Sequence, residues 1–191
     1  WVALDRAVAL ADRIGGADRV ASWCRVRDEI RQSITDRCWS PTLGAYAQSY
    51  DSDLLDASVL MMVIVGFLEP DDPRARSTVE AIAAGLTDAH GFVYRYREDD
   101  GLEGDEGTFA ICTFWLAHCW ALLGEIDEAR SLFDRMVGCA NDLGLLAEEV
   151  DPATGAMLGN FPQAFSHIGL VNAAWAIHQS ERAADVPRRR P

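Results

Sequence analysis

The sequence predicts an all-α protein of helical-hairpin repeats, about half of an (α/α)6 toroid. Three observations carry this. Apolar residues recur at helical spacing through most of the 191 residues. The connections between the helical segments alternate between short and long. The two-helix unit returns roughly every 50 to 55 residues, the signature of a repeat architecture. A closed ring of six such hairpins needs about 320 residues, so this chain accounts for about half of one.

Taken in order, Trp1, Leu4, Val8 and Ala11 form a first stripe, and Val20, Trp23, Val26, Ile30 and Ile34 a second. Gly15 and Gly16 separate them, and Asp18 is positioned to cap the second helix. Further helices are predicted over 56–66, 73–87, 107–123, 126–142 and 163–179. Asp72 followed by Pro73 marks the start of the fourth, because proline lacks only an amide that would be unpaired at that position. No pair of β-strands is predicted. Asp151-Pro-Ala-Thr-Gly155 reads as a turn, with Pro152 fixing φ and Gly155 available for positive φ. Residues 1–180 are expected to form one partial toroid domain and 181–191 a disordered tail.

Composition excludes several functions. With 30 acidic and 17 basic side chains the net charge is −13, which repels phosphate backbones, and the Arg188 to Arg190 run is short and terminal. No nucleic-acid partner is expected. The longest apolar stretch, Val59 to Leu68, is about half of what a membrane helix needs, so no membrane partner is expected either. No signal peptide is visible ahead of the first stripe. Cys24, Cys38, Cys112, Cys119 and Cys139 are an odd number without a CxxC pair, which fits reduced thiols and a cytoplasmic location. His90, His118, His167 and His178 have no paired spacing, so no metal is predicted. No phosphate loop and no nucleophile elbow is present.

The long connections, 38–55, 89–106 and 143–162, are the informative ones. Connections beyond about 12 residues are uncommon in compact domains and are usually functional. Each follows the second helix of a hairpin, which predicts that they share one end of the stack. They are rich in aromatic and polar groups: Trp39, Tyr46 and Tyr50; then Phe92, Tyr94, Arg95 and Tyr96; then Glu148, Glu149, Asn160 and Phe161. An enzyme with its site on one face needs such loops, whereas a binding solenoid turns tightly at both ends.

Within these loops the stretch Leu145 to His167, LLAEEVDPATGAMLGNFPQAFSH, resembles the last active-site segment of glycoside hydrolase family 15, the glucoamylase-like enzymes and a branch of bacterial trehalases. GFVYRYREDDGLEGDEGTFAICTFWL at Gly91 to Leu116 and WVALDRAVALA at Trp1 to Ala11 agree with it, in the expected order. The resemblance implies inverting hydrolysis of α-glucosidic bonds in a gluco-oligosaccharide or in trehalose, with no cofactor. It places Glu148, in A-E-E-V-D, at the general base of the family's S-E-Q-Y-D segment. The family's general acid lies in a W-E motif upstream of the segment matching Trp1, in an N-terminal half of the domain that this chain does not contain. The chain alone is therefore expected to be inactive.

Five further residues are candidates for substrate binding. Glu149 reads as a partner of Glu148 or of a sugar hydroxyl. Glu106 is either a helix N-terminal charge, which contributes ~0.3–1 kcal/mol, or a hydroxyl acceptor lining the sugar cavity, as the resemblance implies. Phe109 is a candidate stacking wall. Arg95 and Tyr96, in VYRYRED, match a V-G-R-Y-P-E-D segment of the family, where an arginine can hold carboxylates ionised and donate forked hydrogen bonds to sugar oxygens. The same alternation also fits a short extended piece with one packed face. His167, on a helix's first turn, reads as a residue that orients a loop. Two alternatives remain open: a non-catalytic helical-repeat binding module, against which the loop lengths argue, and another α/α-toroid enzyme, against which the Glu148 segment argues.

Overall fold

A computed structural model describes residues 1–97 and 106–185. They fall into two compact units, Trp1–Leu54 and the part that begins at Leu55. In the first, α1 (Val2–Ala9) and α2 (Val20–Arg37) form a hairpin. Gly16 is required there, since a Cβ would meet the Trp23 ring at 2.5 Å. Across the pair, Arg27 reaches Asp5 at 3.5 Å and the Arg31 guanidinium lies 5.5 Å over the Trp1 ring. Asp18 does not cap α2: it lies inside a 3-10 turn, Ala17–Arg19, and Arg19 precedes the helix without a side-chain cap bond. The turn carries the chain straight into the helix and leaves Asp18 no capping geometry. After α2 come the paired strands β1 (Trp39–Ser40) and β2 (Ala45–Tyr46), with Trp39 edge-on to Tyr46 at 5.4 Å.

The second unit is built around α5 (Ala110–Leu122), apolar on nearly every side as a central helix must be. Cys112, Phe114, Leu116, Ala117 and Cys119 are all buried. Burial pushes the Cys112 thiol up to about 12, with the Asp56 charge adding to the effect. Against α5 pack α3 (Met61–Ile64), α4 (Pro73–Gly85), α6 (Ile126–Val137) and, most extensively, α7 (Ala164–Asp185). Gly169 permits the close approach of α7, because a Cβ there would stand 3.2 Å from Phe114 Cβ. Asp72 caps α4 by accepting from the Arg74 amide at 2.8 Å, with Pro73 first in the helix. The outer face of α7 is apolar and open: Phe165, Ile168, Val171 and Trp175 are each more than half exposed.

Several boundaries differ from the sequence reading. The helix expected over 56–66 is a 3-10 turn, Ala57–Leu60, capped by Asp56, followed by the single turn of α3. The helix expected from Gly107 starts at Ala110, and the one expected to reach Asp142 ends at Val137. The last runs on to Asp185, so residues 181–185 of the expected tail are helical; 186–191, including the arginine run, lie outside the described residues. Five strands also stand where no pair was expected: β1 and β2 pair with each other, and β3 (Thr108–Phe109), β4 (Glu149–Val150) and β5 (Met157–Leu158) form an antiparallel sheet in the order β3-β4-β5. Among the described residues no helix is long and apolar enough to cross a membrane.

Candidate active site

The three-stranded sheet ties together the ends of two long loops. Phe109 pairs with Glu149, Glu149 with Leu158, and Thr108 with Val150. The turn between β4 and β5 is the one the sequence announced. Asp151 Oδ1 accepts from the Ala153 and Thr154 amides at 2.7 and 3.0 Å, and Gly155 has φ +72°. These amides, Ala153 first, hold the Asp151 carboxyl below its ordinary value.

Glu148 stands immediately before β4, half-buried. Its Oε2 accepts from the Asn160 amide at 3.1 Å and from Asn160 Nδ2 at 2.8 Å. Gly159 makes room for this, since a Cβ there would stand 2.9 Å from the same oxygen. Among the described residues no donor reaches Oε1. One carboxylate oxygen is thus anchored and the other available to a water.

Glu149 is set differently. Its Oε2 accepts from the Gly107 amide at 2.8 Å. Burial raises its pKa above the ordinary carboxylate value; the Gly107 bond opposes this, and the charges of Glu106 and Glu148 reinforce it. Glu106 is exposed and four residues ahead of α5, so the structure does not support its reading as a charge in the first turn of a helix. Its influence falls on Glu149 instead.

Phe109 is half-buried, and its amide donates to the Val93 carbonyl at 2.8 Å, which joins it to the segment carrying Arg95 and Tyr96. The Arg95 guanidinium lies 5.5 Å over the Tyr96 ring, and the Arg95 carbonyl accepts from the Ala57 amide at 2.8 Å. Glu106, Phe109, Glu148 and Glu149 are therefore brought together, with Arg95 and Tyr96 on the adjoining segment. Residues 98–105 of the matched stretch lie outside the described residues.

His167 orients a loop, as its position suggested: its Nε2 accepts from the Leu146 amide at 3.3 Å. Sequence reasoning did not assign Asn160, Gly107, Gly159 or Ser166 to the site. The only signal for Asn160 was its place in a polar loop beside a glycine.

Comparison with known proteins gives the family. Residues 1–175 match the sequence profile of Glycosyl hydrolases family 15. The chain is 46% identical to a trehalase of Mycobacterium tuberculosis over 97% of its own length and 27% of that protein's. It is 38% identical to a trehalase of Thermoplasma acidophilum, over 91% and 30% respectively. The chain thus spans under a third of the length of these relatives. Its fold is similar to that of a bacterial glucoamylase crystallised with acarbose, with a TM-score of 0.75, 18% identity, and coverage of 93% of this chain and 32% of that one. The all-α fold is that of a glucoamylase-like α/α toroid in part, and the chain belongs to glycosyl hydrolases family 15.

Proposed function

We propose that this chain supplies the water-activating half of a glycoside hydrolase site that cleaves an α-glucosidic bond with inversion, and that its substrate is trehalose. The observation that carries the reading is the Glu148 carboxylate, anchored at Oε2 by both donors of Asn160 and open at Oε1. In a single displacement a base removes a proton from water as that water attacks the anomeric carbon, while an acid on the other side of the sugar protonates the departing oxygen. Glu148 suits the first task. The two carboxyl groups of such a pair stand ~6.5–9.5 Å apart, and the acid is expected from sequence outside the segments matched here.

In this reading residues 1–180 belong to one catalytic domain. Glu106, Glu149, Arg95 and Tyr96 contact sugar hydroxyls and Phe109 packs against a ring face. Trehalose is favoured over a starch-type oligosaccharide because the two relatives described above, 46% and 38% identical, are trehalases, whereas the glucoamylase is only 18% identical. Five free cysteines favour the cytoplasm. The chain alone, without the acid, does not turn over substrate.

In the full-length enzyme, Glu148→Gln should lower kcat by about 10²–10⁴, the contribution of a general acid-base group, with KM little changed. Near-normal turnover would remove Glu148 as the base. NMR at early times should show β-glucose first, because inversion at an α-linkage yields the β-anomer. Early α-glucose would mean a covalent intermediate and a different mechanism.

A further inference from the structure

We infer that Ser166 and His167, in the first turn of α7, are positioning residues that set where the Glu148 carboxylate stands. The inference rests on the reading of Glu148 as the base.

The direction of a side chain is fixed by the two peptide planes that flank its Cα. Both planes around Glu148 are held. The plane before it contains the Ala147 carbonyl and the Glu148 amide. Ser166 Oγ donates to that carbonyl at 2.7 Å from one edge, and the amide donates to the Asn160 carbonyl at 3.0 Å from the other. The plane after it contains the Glu148 carbonyl, which accepts from the Ala110 amide at 3.0 Å. The clamp extends one residue upstream. The Leu146 amide donates to His167 Nε2 at 3.3 Å, and the Leu146 carbonyl accepts from the Gln163 amide at 2.9 Å.

A two-residue strand has few ladder bonds to fix the aim of the residue ahead of it, and α7 adds to the bonds from Asn160 and Ala110. The helix is a rigid source of aim because the face that carries Ser166, with Gly169, Ala173 and Ala176, is buried and α7 packs extensively on α5. Ser166 is 1% exposed and Ala147 3%. Water therefore cannot replace the hydroxyl, and the carbonyl depends on Ser166 for its hydrogen bond. His167 must present a bare Nε2 to accept an amide, which puts its proton on Nδ1. What the histidine contributes is an acceptor at a set reach, and glutamine can offer one at similar reach through its side-chain oxygen.

The test uses the full-length enzyme with His167→Leu, His167→Gln, Ser166→Ala and Ser166→Cys, and measures kcat, KM and the thermal midpoint of each. A misplacement of about 1 Å costs on the order of 10²-fold in rate. His167→Leu and Ser166→Ala should therefore lose roughly 10- to 100-fold in kcat with KM changed less than about twofold. His167→Gln should recover most of the loss. A purely structural role predicts a lower midpoint with unchanged kcat per folded molecule, and that result would overturn the inference, as would a His167→Gln enzyme no better than His167→Leu. If Ser166→Ala does not fold, Ser166→Cys, of similar size and a weaker donor, is read by the same split. Glu148→Gln is measured alongside. An inactive Glu148→Gln beside normal Ser166 and His167 variants refutes the positioning role alone, whereas an active Glu148→Gln refutes the function on which it stands.

Discussion

Substituting Gly159 by alanine tests the site at the point where backbone conformation and the candidate base meet. Gly159 has φ +70°, a left-handed conformation that costs an L-residue ~1–2 kcal/mol. The added methyl would stand 2.9 Å from Glu148 Oε2 and 3.1 Å from Glu148 Cβ. The Cβ is tied to the main chain and cannot rotate away, so the carboxylate must move. Leaving its place breaks the bonds from the Asn160 amide and from Nδ2, at 3.1 and 2.8 Å. Alanine also stiffens the unfolded chain, which returns ~0.4–1 kcal/mol. Strain less this return is about 0–1.6 kcal/mol, and the two lost bonds add about 1 kcal/mol each, so the expected net loss is about 2–4 kcal/mol, read as a lower urea midpoint of the chain at unchanged slope. The loss in kcat of the full-length enzyme should be larger, about 10²-fold for a carboxylate displaced by about 1 Å. A Gly159→Ala enzyme with normal kcat would refute the reasoning, since the anchored position of Oε2 would then be irrelevant to turnover. An unchanged urea midpoint would refute the strain argument.

Further consequences follow from neighbouring positions. Gly107→Ala would place a Cβ 2.8 Å from the Val150 carbonyl oxygen and 3.2 Å from Glu149 Oε2; because the obstacle is backbone, β3 must separate from β4, and the chain should lose about 1–3 kcal/mol in urea melts. Glu149 has a folded-state pKa raised mainly by burial, so the native state binds more protons than the unfolded state above the ordinary glutamate range, and this group's contribution falls as pH rises through that window. Glu149→Gln, which keeps an acceptor for Gly107, should therefore gain stability relative to wild type as pH rises, and a difference in urea midpoints constant with pH would contradict it. The open face of α7, with Phe165, Ile168, Val171 and Trp175 exposed, should make the isolated chain elute ahead of the monomer position in size exclusion despite its charge. Trp175→Glu should shift it toward monomer, and a wild-type monomer across the micromolar range would count against this.

Helices with a mechanistic start signal could be read directly from the sequence. The Asp72-Pro73 pair predicts α4 and its cap, and the residue spacing of α5 and α6 predicts both helices within a few residues. The apolar run from Val59 to Val65 has a start signal too, the Asp56 cap, but a start signal does not set length. It closes into a 3-10 turn and one α-turn before Gly66, whose φ of +76° ends the helix. The strands could not be read at all, because two residues carry no alternation that a period-2 pattern could register. What makes Thr108-Phe109 a strand is its partner 40 residues later, and pairing at that separation is a property of the fold rather than of any local window.

The same limit separates the two adjacent carboxylates. As a dipeptide, Glu148-Glu149 is symmetric; family resemblance chose between them, and pairing gives the choice a physical basis. β4 lies between β3 and β5, and the two side chains reach to different neighbours: Glu148 to the residues just after β5, Glu149 to the residue just before β3. Glu148 therefore meets two donors while one of its oxygens stays open. Glu149 meets one donor, partial burial and two like charges, which favour its protonated form. A group that must accept a proton from water needs the first environment. A slip of β4 by one residue would put one glutamate in the place of the other, so the register of a two-residue strand sets which carboxylate meets Asn160.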